Sequence, residues 1–279
     1  MNQEEIIRQS ILEDVGDGDH SSLACIDADR MGQMKLLVKQ NGILAGVEVA
    51  KTVLNIVDPT ITMEQFLHDG DAVKVGDVAF IIHGPVRSML TAERTLLNFM
   101  QRMSGIATTA RHYADRVAGT HATILDTRKT TPGLRVFEKY AVTCGGGTNH
   151  RMGMYDRVLM KDNHRRLWKG GDPDELDQAV AAARKRFPKL EVEVEVESLR
   201  ECASALKAKP EWIMLDNMSI ADMKKCVKMC KGISKTEASG GITLDRAKEV
   251  AATGVTAISL GCLTHSAGSV DLSLEWKSV

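Results

Sequence analysis

The chain has 279 residues, 43% of them hydrophobic and 26% charged, with a formal net charge of -1. That is enough for one barrel-sized domain or two smaller ones around a sizeable core. The balanced charge gives no electrostatic support to a nucleic-acid or membrane-surface role. No apolar run approaches the roughly 20 residues of a membrane-spanning helix.

Residues 1–5 are acidic rather than signal-like, so the expected compartment is the cytosol. Ile6, Ile7, Ile11 and Leu12 form a helical stripe, ended by the turn-rich Gly16-Asp17-Gly18-Asp19-His20-Ser21-Ser22. Strand-like runs follow at 34–38 and 43–45. Residues 67–85 alternate short strands with Gly-Asp turns and are similar to the hammerhead of biotinyl and lipoyl carrier domains. Lys74 does not sit on a two-residue hairpin tip flanked by Met, so a plain β-sandwich or half-barrel is the better reading. Thr91 can cap a helix with Glu93 or Arg94 in its first turn, and Leu96, Leu97, Met100 and Met103 then share one face. Arg94 and Arg102 fall on its polar sides, where solvation is the default role.

From residue 106 the pattern repeats. Apolar runs at 123–125, 158–160, 192–196, 212–215, 236–238 and 257–260 alternate with amphipathic stretches at 175–186, 199–207, 220–231 and 244–252. This rhythm predicts a parallel sheet covered by helices. Six or seven units fit a barrel better than an open sheet, and too little chain remains for eight. Cys226 and Cys230, four apart on a helical pattern, read as buried packing rather than a zinc site.

In such barrels the active site lies at the carboxyl ends of the strands, and here the chemically interesting residues end strands. Thr127, Arg128 and Lys129 follow the first, Lys161 the second, Glu195 the third and Asp216 the fourth. Between Arg128 and Arg166 there are nine Lys or Arg against three Asp or Glu, which points to a small, highly anionic ligand. Alternation in 191–197 puts four Glu on one face and the valines on the other. The valines must pack under the helices, so the Glu face points into the barrel, where buried carboxylates need cations or donors. Ser239-Gly240-Gly241 and Gly261 suit a phosphate site built from the last two loops, with a tight turn as the plainer reading. Gly145-Gly146-Gly147 lacks dinucleotide spacing and supports only a tight, conceivably catalytic, loop. His150 beside Arg151 could serve as a base or an anion donor. The other histidines carry no metal-ligand spacing, and Ser239 and Cys262 have no evident base, so nucleophilic catalysis has weak support.

These motifs together resemble the quinolinate phosphoribosyltransferase family along nearly the whole chain. They are Leu12-Glu13-Asp14 with Gly18-Asp19, Glu93-Arg94 with Leu97-Asn98, Ser104-Gly105-Ile106-Ala107-Thr108, Thr127-Arg128-Lys129-Thr130-Thr131-Pro132-Gly133, Asn149-His150-Arg151, Lys161-Asp162-Asn163-His164, Val192-Glu193-Val194-Glu195, Leu215-Asp216-Asn217 and Glu237-Ala238-Ser239-Gly240-Gly241-Ile242. The resemblance implies an α/β fold: an N-terminal open α/β sandwich over 1–105, joined by a C-terminal tail at 271–279, and an incomplete, seven-stranded TIM-like α/β barrel over 106–270. It implies a pentosyltransferase that carries quinolinate, phosphoribosyl pyrophosphate and Mg²⁺ to nicotinate mononucleotide, pyrophosphate and carbon dioxide. Arg128, His150, Arg151 and Lys161 would hold the two carboxylates of quinolinate, with Lys129 between them and the pyrophosphate. Arg94 would come from the neighbouring subunit of a homodimer, with assembly into hexamers left open. Glu195 and Asp216 would hold the ribose hydroxyls and, through water, the magnesium. Ser239, Gly240, Gly241 and Gly261 would hold the 5′-phosphate. A relative acting on nicotinate would need fewer cations, and a carrier role for the hammerhead-like segment would need a modified Lys74.

Overall fold

The structure, a computed structural model, describes residues 2–168 and 175–276. They group into two compact units: Met1–Arg111, Thr130–Gly146 and Cys262–Val279 form the first, and His112–Lys129 with Gly147–Gly261 form the second.

The first unit begins with α1 (Gln3–Val15), whose Asn2 side chain accepts from the Glu5 N–H, and α2 (His20–Cys25), capped the same way by Asp19 on Ser22. Of the N-terminal stripe only Ile7 is buried, and Leu12 is 59% exposed. Then come β1 (Met31–Val38), β2 (Gly42–Ile43), α3 (Val47–Val57), β3 (Thr62–Gln65), β4 (Ala72–Val73) and β5 (Val78–Pro85). In β1 the two-residue alternation buries Met34, Leu36 and Val38, and the strand pairs antiparallel with β5. The hammerhead-like segment is ordinary β-structure, with β4 and β5 joined by a turn in which the Lys74 N–H bonds the Asp77 carboxylate at 2.8 Å.

Helix α4 (Val86–Val117) runs for 32 residues, starting five residues before the cap expected at Thr91. Val86 and Met89, ahead of that cap, are buried in the helix's first turns. Thr91 is interior to the helix, its hydroxyl bonded to the Arg87 carbonyl at 2.9 Å. The sequence boundary at residue 105 falls inside this helix.

The second unit opens with β6 (Thr123–Leu125). Next in the chain, α5 (Arg135–Cys144) belongs to the first unit, and Gly145 ends it. A side chain at Gly145 would collide with the Ala107 carbonyl, and Gly146 takes a left-handed φ of 87°. The triple glycine therefore has a helix-ending, close-packing role in its first two members. Four βα repeats and a last strand complete the unit: β7 (Val158–Met160), α6 (Asp162–Leu167), α7 (Leu176–Arg186), β8 (Val192–Val196), α8 (Leu199–Leu206), β9 (Trp212–Asp216), α9 (Ile220–Cys230), β10 (Lys235–Ser239), α10 (Leu244–Ala251) and β11 (Ala257–Ser259).

All six strands are parallel, in the order β6-β11-β10-β9-β8-β7. Among the described residues this is one strand fewer than the expected seven. The seventh position is a single bridge in which Thr148 pairs with Leu125 on the outer edge of β6. The segment around it is rich in glycine and has no β-branched run to sustain a strand. Val192, Val194, Val196, Ile213, Leu215, Ala238 and Ile258 are fully buried on one face of the sheet. Cys202, Cys226 and Cys230 are buried together between α8 and α9, with Cys202 Sγ 3.8 Å from Cys230 Sγ, which bears out the packing role.

The chain ends with α11 (Cys262–His265) and β12 (Leu272–Trp276), both in the first unit. β12 pairs antiparallel with β1, Leu36 opposite Leu274, so the tail closes the free edge of that sheet. Residues 277–279 of the expected tail lie outside the described residues.

Candidate active site

The strand register fixes which side chains share the inner face of the second unit. In a parallel sheet, paired residues point the same way, and every second residue along a strand shares that direction. Glu193 pairs with Trp212, Glu195 with Met214, Met214 with Glu237, and Asp216 with Ser239. Glu193, Glu195, Asp216, Glu237 and Ser239 therefore line one face. Glu193 and Glu237 are fully buried and Glu195 is 7% exposed. The outer members of the glutamate run behave otherwise: Glu191, just before β8, bonds Arg157 at 3.0 Å and the Trp212 indole at 3.1 Å, and Glu197 is exposed.

His150 is 8% exposed and aims inward. Its Nε2 lies 3.0 Å from Glu193 Oε2 and 3.3 Å from Glu237 Oε2, and its backbone N–H donates to the fully buried Asp126 at 2.9 Å. Burial alone would lower the imidazole pKa. The two glutamates outweigh that and raise it to about 9. The Arg151 N–H donates to Nδ1 at 2.7 Å from the adjacent peptide. Burial and the nearby Glu193 push the Glu237 carboxyl up. The burial of Glu193 is more than offset by His150 and Arg157, which hold it below the usual carboxylate range. Arg157 completes the set, with Nη1 3.2 Å from Glu193 Oε2 and its guanidinium 5.2 Å above the Trp212 ring. The ligand atoms of His150, Glu193 and Glu237 lie within 4.8 Å of one another, close enough to chelate a cation. His150, with its raised pKa, and Arg157 bring positive character there from the chain itself.

Above this layer stand the groups at the strand ends. Lys161, at the end of β7, reaches across to Glu195, Nζ to Oε2 2.9 Å, with the lysine side chain 45% exposed. Arg128 and Arg151 are near enough that, after burial, the Arg128 charge is the main influence lowering the Arg151 pKa. Two adjacent guanidinium groups disfavour one another and favour an anion of matching shape. Lys129 is exposed, and its N–H bonds the Thr127 hydroxyl at 3.1 Å. Asp216 accepts from the Asn217 amide at 2.8 Å. Gly240 and Gly241, after Ser239, take left-handed φ values of 95° and 57°, and the space over Gly241 is open to 4 Å. Such consecutive turns aim N–H groups outward, as anion sites require. Gly261 follows β11.

Twelve of the thirteen predicted site residues thus lie in the second unit, most at strand ends. Arg94 lies in the first unit, exposed on α4 beside the half-buried Glu93. Nothing local in the sequence marks Asp126 and Arg157 as partners of His150, because only the folded sheet brings them together. Arg165, on α6, is 8% exposed and paired with Glu201 at 3.2 Å.

Carboxylates, paired cations and a glycine turn at the carboxyl ends of a parallel β/α sheet define an α/β-barrel enzyme for anionic, phosphate-bearing substrates. Residues 19–104 match the N-terminal domain of quinolinate phosphoribosyl transferase, and residues 106–275 match its C-terminal domain. The chain belongs to the quinolinate phosphoribosyltransferase family. It is 41% identical over 286 residues to the chloroplastic nicotinate-nucleotide pyrophosphorylase [carboxylating] of Oryza sativa subsp. japonica, covering 97% of this chain and 76% of that protein. It is 40% identical to the probable nicotinate-nucleotide pyrophosphorylase [carboxylating] of Bacillus subtilis, covering 97% and 92%. The nicotinate-nucleotide pyrophosphorylase structure from Francisella tularensis superposes with a TM-score of 0.91 at 36% identity, covering 99% and 98%.

Proposed function

We infer that the chain is a pentosyltransferase that moves the phosphoribosyl group of phosphoribosyl pyrophosphate onto quinolinate with decarboxylation. The products are nicotinate mononucleotide, pyrophosphate and carbon dioxide, a step of de novo NAD biosynthesis. The observation that supports this most is the neighbouring Arg128 and Arg151 pair, a fixed dication in a chain otherwise balanced in charge.

Quinolinate is a planar dicarboxylate, and Arg forks suit such groups because two parallel N–H bonds fix orientation as well as charge. Arg128, Arg151 and Lys161 hold the carboxylates, with His150 beside them. The Lys161–Glu195 pair at 2.9 Å then exchanges one carboxylate partner for another when substrate enters. Glu195 and Asp216 hold the ribose hydroxyls, and their negative charge favours the cationic ribosyl centre that develops as pyrophosphate leaves. Ser239, Gly240, Gly241 and Gly261 take the 5′-phosphate.

The hard carboxylate oxygens of Glu195 and Asp216, on one face of neighbouring strands, suit Mg²⁺ held through water. Bound there with the substrate, Mg²⁺ would neutralise charge on the departing pyrophosphate. Lys129, exposed on its loop, stabilises the same leaving charge. The site holds the pyridine nitrogen in line with the ribose carbon. Once alkylated, the ring accepts the electron pair left by the adjacent carboxylate as it departs as carbon dioxide, so no side chain need act as acid or base.

Arg94 serves the neighbouring copy of a homodimer, which accounts for an exposed arginine that carries a family motif outside the unit holding the other cations. A cytoplasmic setting goes with this reading. No helix among the described residues is long and apolar enough to cross a membrane, while the rice relative is named chloroplastic.

The test is incubation with quinolinate, phosphoribosyl pyrophosphate and Mg²⁺, following nicotinate mononucleotide by chromatography together with released carbon dioxide. Equal amounts of both are expected. Neither product from folded protein, or preferential turnover of nicotinate, would overturn the assignment.

A further inference from the structure

Asn217 follows the last residue of β9 and has a backbone φ of 52°. Only it and Lys209 combine a positive φ with a side chain among the described residues. Asn tolerates that region better than most residues, yet it remains a costly conformation that the surroundings must hold. Three contacts hold it. The Asn217 N–H donates to the Ser239 carbonyl at 3.0 Å, extending the β9–β10 register one residue past the strand. Its side-chain amide donates to Asp216 Oδ2 at 2.8 Å. Its Oδ1 lies so close over Gly240 that a Cβ at that position would collide with it.

We propose that Asn217 is a positioning residue that fixes the Asp216 carboxylate relative to the Ser239-Gly240-Gly241 turn, a role that rests on the phosphoribosyl reading of both. One short side chain links the group facing the ribose to the turn facing the 5′-phosphate. The left-handed backbone turns the amide back onto its own neighbour's carboxylate, and the missing Cβ of Gly240 leaves room for it. With one Asp216 oxygen engaged by the amide, the other is presented at a fixed angle. Around metal ligands, removing a partner that orients a carboxylate typically costs about 10–100-fold in affinity or activity.

The experiment compares Asn217→Gly, Asn217→Asp and Asp216→Asn with the unaltered enzyme by steady-state kinetics and thermal unfolding. Glycine accepts the positive φ without strain, so Asn217→Gly keeps the backbone and removes only the amide. It is expected to raise KM for phosphoribosyl pyrophosphate about tenfold, with KM for quinolinate within about twofold and the unfolding temperature unchanged. Asn217→Asp keeps shape and backbone tolerance but sets a second negative charge against Asp216, and is expected to raise that KM further. Asp216→Asn should move the same constant. Unchanged KM in Asn217→Gly, with Asp216→Asn strongly affected, would overturn the positioning role alone. An unaltered protein that does not use phosphoribosyl pyrophosphate would overturn the reading beneath it.

Discussion

Glu193 and Glu195 stand two residues apart on the same face of β8, and their surroundings differ sharply. Glu193 is fully buried and bonded to His150 and Arg157. Glu195 is matched by a single lysine that is 45% exposed and free to choose another partner. The difference teaches how a β/α barrel divides its labour by depth. Charges in the middle layer must be satisfied permanently, since an unpaired buried charge costs several kcal/mol. Charges at the strand ends are paired loosely, and a substrate can take their place.

The largest effect expected from this division lies at the strand ends. Lys129 is exposed on its loop, so Lys129→Ala should leave folding intact while lowering kcat by several orders of magnitude. Near-normal turnover would remove Lys129 from its role. The same experiment reaches Arg94. If Arg94 completes the neighbouring site, Arg94→Ala and Lys129→Ala are each nearly inactive alone. Mixed and allowed to exchange subunits, they should recover about a quarter of full activity, because half the dimers are hybrids with one intact site each. No recovery after proven exchange would place Arg94 in its own subunit's site or in none.

The strand ends were legible in the sequence because local chemistry announces them. A β-branched run stopping at Asp126-Thr127-Arg128-Lys129, or at Leu215-Asp216-Asn217, marks both the strand and its polar end, and all six predicted strands formed at those places. The middle layer was only half legible. Alternation showed that Glu193 and Glu195 face inward, but nothing local says that Asp126, His150, Arg157 and Glu237 meet there. Their spacings along the chain are set by helices and loops of arbitrary length. The missing seventh strand and the early start of α4 were misread for a related reason. In both, tertiary packing decided what local propensity left ambiguous: Thr148 forms one bridge without a strand, and Val86 and Met89 are buried in a helix.

Stability measurements should sharpen the contrast of depth. Glu193→Ala leaves His150 and Arg157 facing a void without their shared acceptor, and should cost roughly 3–5 kcal/mol in urea unfolding. Lys161→Met removes a half-exposed partner and should cost less than about 1 kcal/mol, while raising KM for quinolinate. Equal costs would mean that Glu195 is as tightly committed as Glu193, and the two-layer reading would fail.

A pH dependence is also written into the buried layer. The His150 pKa is raised from 6.5 to about 9, so the stability it contributes is fully present below 6.5 and is lost as pH rises towards 9. The groups facing it are Glu193, Glu237, Asp126 through the backbone, Arg151 through its N–H, and Arg157. Glu237, with a raised pKa, acts in the same direction from the acid side. Glu193, with a lowered one, contributes above its ordinary value of 4.5 and loses that contribution only in acid. Between pH 6.5 and 8.5 the unaltered protein should therefore lose about 1–2 kcal/mol of stability, at most roughly 1.4 kcal/mol per pH unit for one proton. Cys144 and Cys202, with pKa values raised to about 11 and about 12, also destabilise as pH rises, but chiefly above the ordinary thiol value of 9.0. His150→Gln controls for them, since it keeps a donor towards Glu193 but cannot titrate, and its urea midpoint should be flat across that window. An equally sloped variant would move the titrating group elsewhere and leave His150 a neutral donor, with the shared proton resting on Glu237.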